Sequence, residues 1–148
     1  MVHPHTFVTL HLIKLCVGAE SIVDLAQWQK RRAAERRKKG GTGAIMHITR
    51  MTPKRADELL DGGSLYWVIK GQIAARQKLV AVKAVIREGI PHCALVLDKK
   101  IVPVVPRQHR AFQGWRYFEA TDAPPDLKGS KSQLPEKLRA ELTELGLL

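Results

Sequence analysis

The chain has 148 residues, enough for one domain with an ordinary core; 45% of them are hydrophobic and 26% charged, the balance of a globular protein. The formal net charge of +11 points to a polyanionic partner: nucleic acid, an anionic lipid surface or a phosphorylated small molecule. The two cysteines, Cys16 and Cys93, lie in no metal-ligand spacing, no apolar run approaches the roughly 18 residues of a membrane span, and no secretory leader is recognisable. A cytoplasmic protein with reduced thiols and no membrane partner is expected.

"TFVTLHLIKLCV" (Thr6–Val17) is apolar and β-branched and predicts a buried strand that Gly18 ends. Ser21 is placed to cap a helix from Ile22 to about Lys38, with Asp24 as the capping-box acid and Ile22, Leu25, Ala26 and Trp28 on the apolar side. "AIMHITRM" (Ala44–Met51) predicts a second strand. Thr52 then caps a second helix, Pro53 takes its first position, and Gly62-Gly63 end it. The pattern changes to strands in "SLYWVIKG", "ARQKLVAVKAVI" and "HCALVLD". Two prolines make "IVPVVP" an edge strand or no strand, and "FQGWRYF" predicts a further one. "TDAPPDLKGSKSQ" has the composition of a linker, and the last 15 residues place Leu138, Leu142 and Leu145 at helical spacing.

The expected fold class is α+β: two strand–helix units followed by a mostly antiparallel or mixed sheet, curled into a small barrel. Residues 1–125 would form a single domain, and 126–148 a linker and short C-terminal amphipathic helix. This layout is loosely similar to the barrel of pseudouridine-synthase-associated RNA-binding domains, a likeness of fold alone.

Charge is unevenly spread. "KRRAAERRKK" (Lys30–Lys39) carries +6, leaving +5 for the rest of the chain, and reads either as a solvated helix end or as a binding run. "HLIKLC" (His11–Cys16) and "HITRMT" (His47–Thr52) share a pattern of His, apolar, then a base at the fourth position. If the two strands pair, Lys14 and Arg50 project near each other. Lys54 and Arg55, in the first turn of the second helix, would join its free backbone N–H groups in an anion site. The alternative is that both bases simply face water.

Further candidates lie on the strands. Tyr66, Val68 and Lys70 share one face, and Leu65, Trp67 and Ile69 the other, which is read as core. Arg76 and Lys78 share a face bordering a groove, and "FQGWRYF" interleaves aromatic residues with Arg116. Cations that meet phosphates and rings that stack on bases are how sheets hold single strands; Trp115 and Arg116 are therefore candidates, with a hydrophobic edge as the bland alternative. Enzyme signatures are weak: no GxSxG, Walker, GxGxxG or HExxH motif occurs. Lys70 and Asp98 would make a catalytic pair only if the fold brings them together; His3 and His5 could bind a metal but lie in a terminus expected to fray, His92-Cys93 is an isolated dipeptide, and no metal or other cofactor is expected.

"HLIKLCVGAESIVDLAQW", "RMTPKRADELLDGGSLYWVIKG", "LVLD" and "FQGWRYF…DAPPDL" together resemble the bacterial domain-of-unknown-function family 1489, over about Thr9–Leu127. The resemblance implies no activity and no catalytic residue. The basic run, "VKAVIREGIPH" and the end after Leu127 match it least.

Two functions fit these residues: a basic module binding RNA, single-stranded nucleic acid or another polyanion, or a small enzyme acting on a nucleotide-like or phosphorylated small molecule. A closed pocket with a buried Lys or carboxylate would favour the enzyme; an open groove with solvent-facing bases would favour the module.

Overall fold

In the computed structural model, which describes residues 9–127, the sheet begins with β1 (Leu10–Leu15). Helix α1 (Ile22–Lys38) follows, then β2 (Ile45–Thr49) and a single turn of helix, α2 (Ala56–Leu59). Five strands come next: β3 (Ser64–Ile69), β4 (Gln72–Arg87), β5 (Ile90–Leu97), β6 (Val102–Gln108) and β7 (Trp115–Glu119). A 3-10 turn at Ala120–Asp122 follows β7.

The seven strands form one sheet in the order β2-β5-β4-β3-β1-β7, with β6 also paired to β4. Only β1 and β3 run parallel; every other pair is antiparallel. The expected α+β class with a mostly antiparallel sheet is therefore present, but the sheet is not closed into a barrel. The long strand β4 organises it. Its first half pairs with β3 and β6, its second half with β5, and register shifts near Ala74 and Val80 mark where it bends. β6, with its two prolines, is peripheral as the sequence requires.

Both faces of the middle of the sheet are covered, which is why all six residues of β3 are buried. One face carries Leu12, Leu65, Trp67, Leu79 and Leu95 against α1; the other carries Ile13, Tyr66, Val68, Val104 and Phe118. The helix meets the sheet through Ile22, Leu25, Gln29 and Ala33, one stripe at three- and four-residue spacing. Its start is the predicted one: the Asp24 N–H donates to Ser21 Oγ at 3.1 Å, and the Asp24 carboxylate accepts the Glu20 N–H at 3.0 Å.

A buried amide pair joins helix to sheet. Gln29 and Gln77 exchange hydrogen bonds of 2.7 and 2.8 Å. Gln77 Oε1 also accepts from Trp67 Nε1, and Gln77 Nε2 donates to the Asp98 carbonyl. Every polar atom of the Gln77 amide is thus satisfied, as its complete burial demands.

Three further expectations are corrected. The second helix starts at Ala56 rather than at Thr52 or Pro53, and spans four residues. The strands of the two similar His-containing stretches do not pair: β1 lies between β3 and β7, while β2 lies beside β5. The first part of the linker-like stretch is packed along β6, where Val105 N–H donates to the Pro125 carbonyl, Leu127 N–H to that of Pro103, and Asp126 bridges Val104. The expected C-terminal helix, with Leu138, Leu142 and Leu145, lies outside the described residues. No helix among those described is long and apolar enough to cross a membrane.

Candidate functional site

The loop between β2 and α2 folds against β7, so two separately noted stretches, "TRMTPKR" and "FQGWRY", become one surface. Trp115 Nε1 donates to the Met51 carbonyl at 2.8 Å, and the Arg55 N–H donates to Tyr117 Oη at 3.1 Å. The two rings meet edge to face at 5.0 Å, and the Arg55 guanidinium lies over the Tyr117 ring at 5.3 Å. Met51 is 69% exposed beside them, and Thr52 and Lys54 also face solvent.

Lys14 borders the same surface. It stands directly opposite Trp115 in the β1–β7 register and beside Trp67 in the β1–β3 register, which puts all three side chains on one face. Burial pushes its pKa down from the ordinary lysine value. Behind it His47 sits edge-on to Trp67 at 5.1 Å and near Trp28 at 6.5 Å. Arg32 covers Trp28 at 4.5 Å. Burial, and then the charges of Lys14 and Arg32, lower the His47 pKa to about 4, so the ring is neutral at pH 7.

The anion site expected at the second helix takes another form. A single helical turn has little macrodipole, and the Arg55 N–H already serves Tyr117. The Arg55 side chain pairs with Glu58 three residues on, at 2.7 and 2.8 Å. That pair answers the placement of a base ahead of a helix. Lys54 stands in the turn and faces water. Arg50 does not approach Lys14 across a strand pair; its Nη1 donates to the Pro91 carbonyl at 2.6 Å and ties this loop to the β4–β5 hairpin.

The remaining predicted residues fall elsewhere. Lys70 lies in the β3–β4 turn, 3.8 Å from Glu20, while the Asp98 carboxylate accepts the Lys100 N–H, so these two form no catalytic pair. Arg116 points to the face opposite Trp115, over Phe112 at 4.8 Å. Arg76 and Lys78 do share a face, with Tyr66 and Ser64 opposite them in register. Arg76 is gripped by Asp126 through two bonds of 2.7 and 2.8 Å and also donates to Ser64 Oγ.

That ion pair borders a cleft of about 440 Å³ that also contains His11 and Tyr66. His11 Nδ1 accepts the Ser64 N–H at 3.0 Å, and burial, then the Arg76 charge, lowers its pKa to about 4. Burial also raises the pKa of Tyr66. His92 Nδ1 contacts the Ile90 carbonyl, and burial raises the pKa of Cys93, so neither has the environment of an activated group. Among the described residues no three His, Cys, Asp or Glu side chains group as a metal site.

Sequence reasoning noted His47 only as part of a repeated pattern and singled out neither Tyr117 nor Met51 as a site residue. The period-2 alternation of β7 is the available signal for Tyr117, since it puts positions 115 and 117 on one face. Nothing local marks Met51, whose role depends on a partner 64 residues away.

No curated protein matches the chain, and no solved structure does. The profile of the family described as proteins of unknown function, DUF1489, matches residues 12–148, and so takes in the end after Leu127 that the sequence resemblance weighted least. The chain belongs to this family.

Proposed function

We propose that the chain is a cytoplasmic module that binds RNA or single-stranded nucleic acid on the surface formed by Lys14, Arg50–Arg55, Trp115 and Tyr117. The observation that carries this reading is the meeting of the Met51 loop with Trp115. It presents rings for base stacking beside the exposed cations Arg50, Lys54 and Arg55. Arg50, Lys54 and Arg55 face solvent there, and only Lys14 is half-buried, which favours binding over catalysis. The enzyme reading would rest on the His11–Tyr66–Arg76 cleft, where Arg76 and Asp126 already neutralise each other.

Fluorescence anisotropy with a mixed-sequence single-stranded RNA tests the proposal. Binding at low salt should weaken steeply as salt rises, because phosphate neutralisation releases counterions, and each lost contact should reduce the log–log slope by roughly 0.7. Lys54→Gln with Arg50→Gln should weaken binding several-fold. Trp115→Phe, which keeps the ring but loses the bond to Met51, should retain most of it. Absence of binding to any nucleic acid at low salt would overturn the reading.

A further inference from the structure

A second place on the molecule gathers cations, and it shares no residue with the β7 surface. Between α1, the approach to β2 and the β5–β6 turn lies a half-enclosed cavity of about 540 Å³, within the size range of small-ligand sites. Four cations border it: Lys30 and Arg37 from the helix, Lys99 and Lys100 from the turn. Asp98 is the single acid there, so the border carries a net +3. None of the four cations has an ion pair among the described residues, whereas Arg55, Lys70 and Arg76 all do. The floor is apolar, with Ala33, Ile45 and Ile101 buried beneath the charged rim.

The walls are fixed rather than loosely apposed. Arg36 holds the approach to β2 by donating to the Ala44 and Met46 carbonyls at 2.8 and 3.2 Å. Gln77 holds the turn through the Asp98 carbonyl, and Gln29 through the amide pair. Gly43 has no side chain where a Cβ would run into the Arg37 guanidinium, so Arg37 can lie across the backbone at the cavity wall. Gln29 itself lines the cavity. Its exchange with Gln77 uses one N–H and one lone pair, leaving one donor and one acceptor on a planar amide.

We infer that this cavity binds a free nucleotide, a nucleoside mono- or diphosphate. The phosphate meets Lys30, Arg37, Lys99 and Lys100. The heterocycle lies on Ile45 and Ile101, with its polar edge toward the Gln29 amide. Two or more negative charges suit a border of net +3, and a planar body with donors and acceptors suits an apolar floor carrying one amide.

Isothermal titration of the whole chain with AMP, GMP, CMP, UMP and ADP tests this, with adenosine and inorganic phosphate as the separated halves. At least one nucleotide should bind at least tenfold more tightly than either half. Arg37→Gln with Lys99→Gln, both exposed, should weaken it tenfold or more with an unchanged melting temperature. Lys54→Gln, on the other surface, should leave it unaltered, so a failure here is distinct from a failure of RNA binding. The inference is overturned if none of the five nucleotides binds, if phosphate alone binds as tightly as they do, or if the double variant binds normally.

Discussion

His47 enters the core with a ring nitrogen, Nε2, that is buried and has no hydrogen-bond partner among the described residues. Its neutrality follows, because a charged ring there would also face Lys14 and Arg32. His11 is neutral too, because burial and then the Arg76 charge disfavour the charged ring, and its Nδ1 accepts the Ser64 N–H. Both folded pKa values, about 4, lie below the ordinary value of 6.5. Between these limits the unfolded chain takes up protons that the folded chain refuses. The histidines' contribution to stability is therefore whole above pH 6.5 and is lost as pH falls toward 4. The melting temperature should drop between pH 7 and pH 4.5. His47→Phe should flatten that drop and raise stability at pH 7 by about 1 kcal/mol, by removing an unpaired buried polar atom. Thermal melts at both pH values check this, and a variant with the original pH slope would refute it.

At the scale of elements, α2 and β1 are locked together at a glycine. Gly63 N–H donates to the Leu59 carbonyl, and its own carbonyl accepts from Leu79. A Cβ at Gly63 would overlap the backbone carbonyls of Leu10 and Leu59, neither of which can move without displacing its element. Gly63→Ala should therefore cost about 1–3 kcal/mol, visible as a lower midpoint in urea unfolding. A neutral result would mean that the α2 turn yields freely. Its neighbour Gly62 has a different requirement, a φ of +89° that ends the helical turn. The sequence pair reads as one helix stop, yet the structure uses its two glycines for two purposes. The β4–β5 hairpin shows the opposite extreme. Its tip packs on little, leaving Ile86 74% exposed, and Arg50 reaches it through the Pro91 carbonyl.

For the whole molecule, the net charge of +11 is a sum of residues with unlike duties. Within Lys30–Lys39, Arg36 is structural, Lys30 and Arg37 border the cavity, and Lys38 and Lys39 end the helix in solvent. Bases in that last turn also complement the helix dipole. Lys38→Gln with Lys39→Gln should weaken RNA binding a few-fold and lower its salt slope while leaving preference among sequences unchanged. Arg36→Gln should instead lower the melting temperature, because two backbone carbonyls lose their donor. Competition binding beside thermal melts separates the two. Equal effects from both would mean that the run acts only as bulk charge.

The sequence alone determined what local chemistry dictates. Ser21, Asp24 and the apolar spacing after them fix α1 at Ile22–Lys38, since capping and periodicity need only neighbours. The alternation in β3 put Leu65, Trp67 and Ile69 on the core face, where Trp67 lies, but gave no sign that Tyr66 and Val68 are buried on the other face as well. Tertiary structure decided the rest. Thr52 and Pro53 carry helix-start chemistry, but the chain there is held to β7 by Met51 and Arg55, and helix begins only at Ala56. Which strand lies beside β1, which cation Asp126 captures and which bases of one run share a cavity all rest on residues far apart in sequence. Such pairings are set by packing the whole sheet, and no local pattern encodes them.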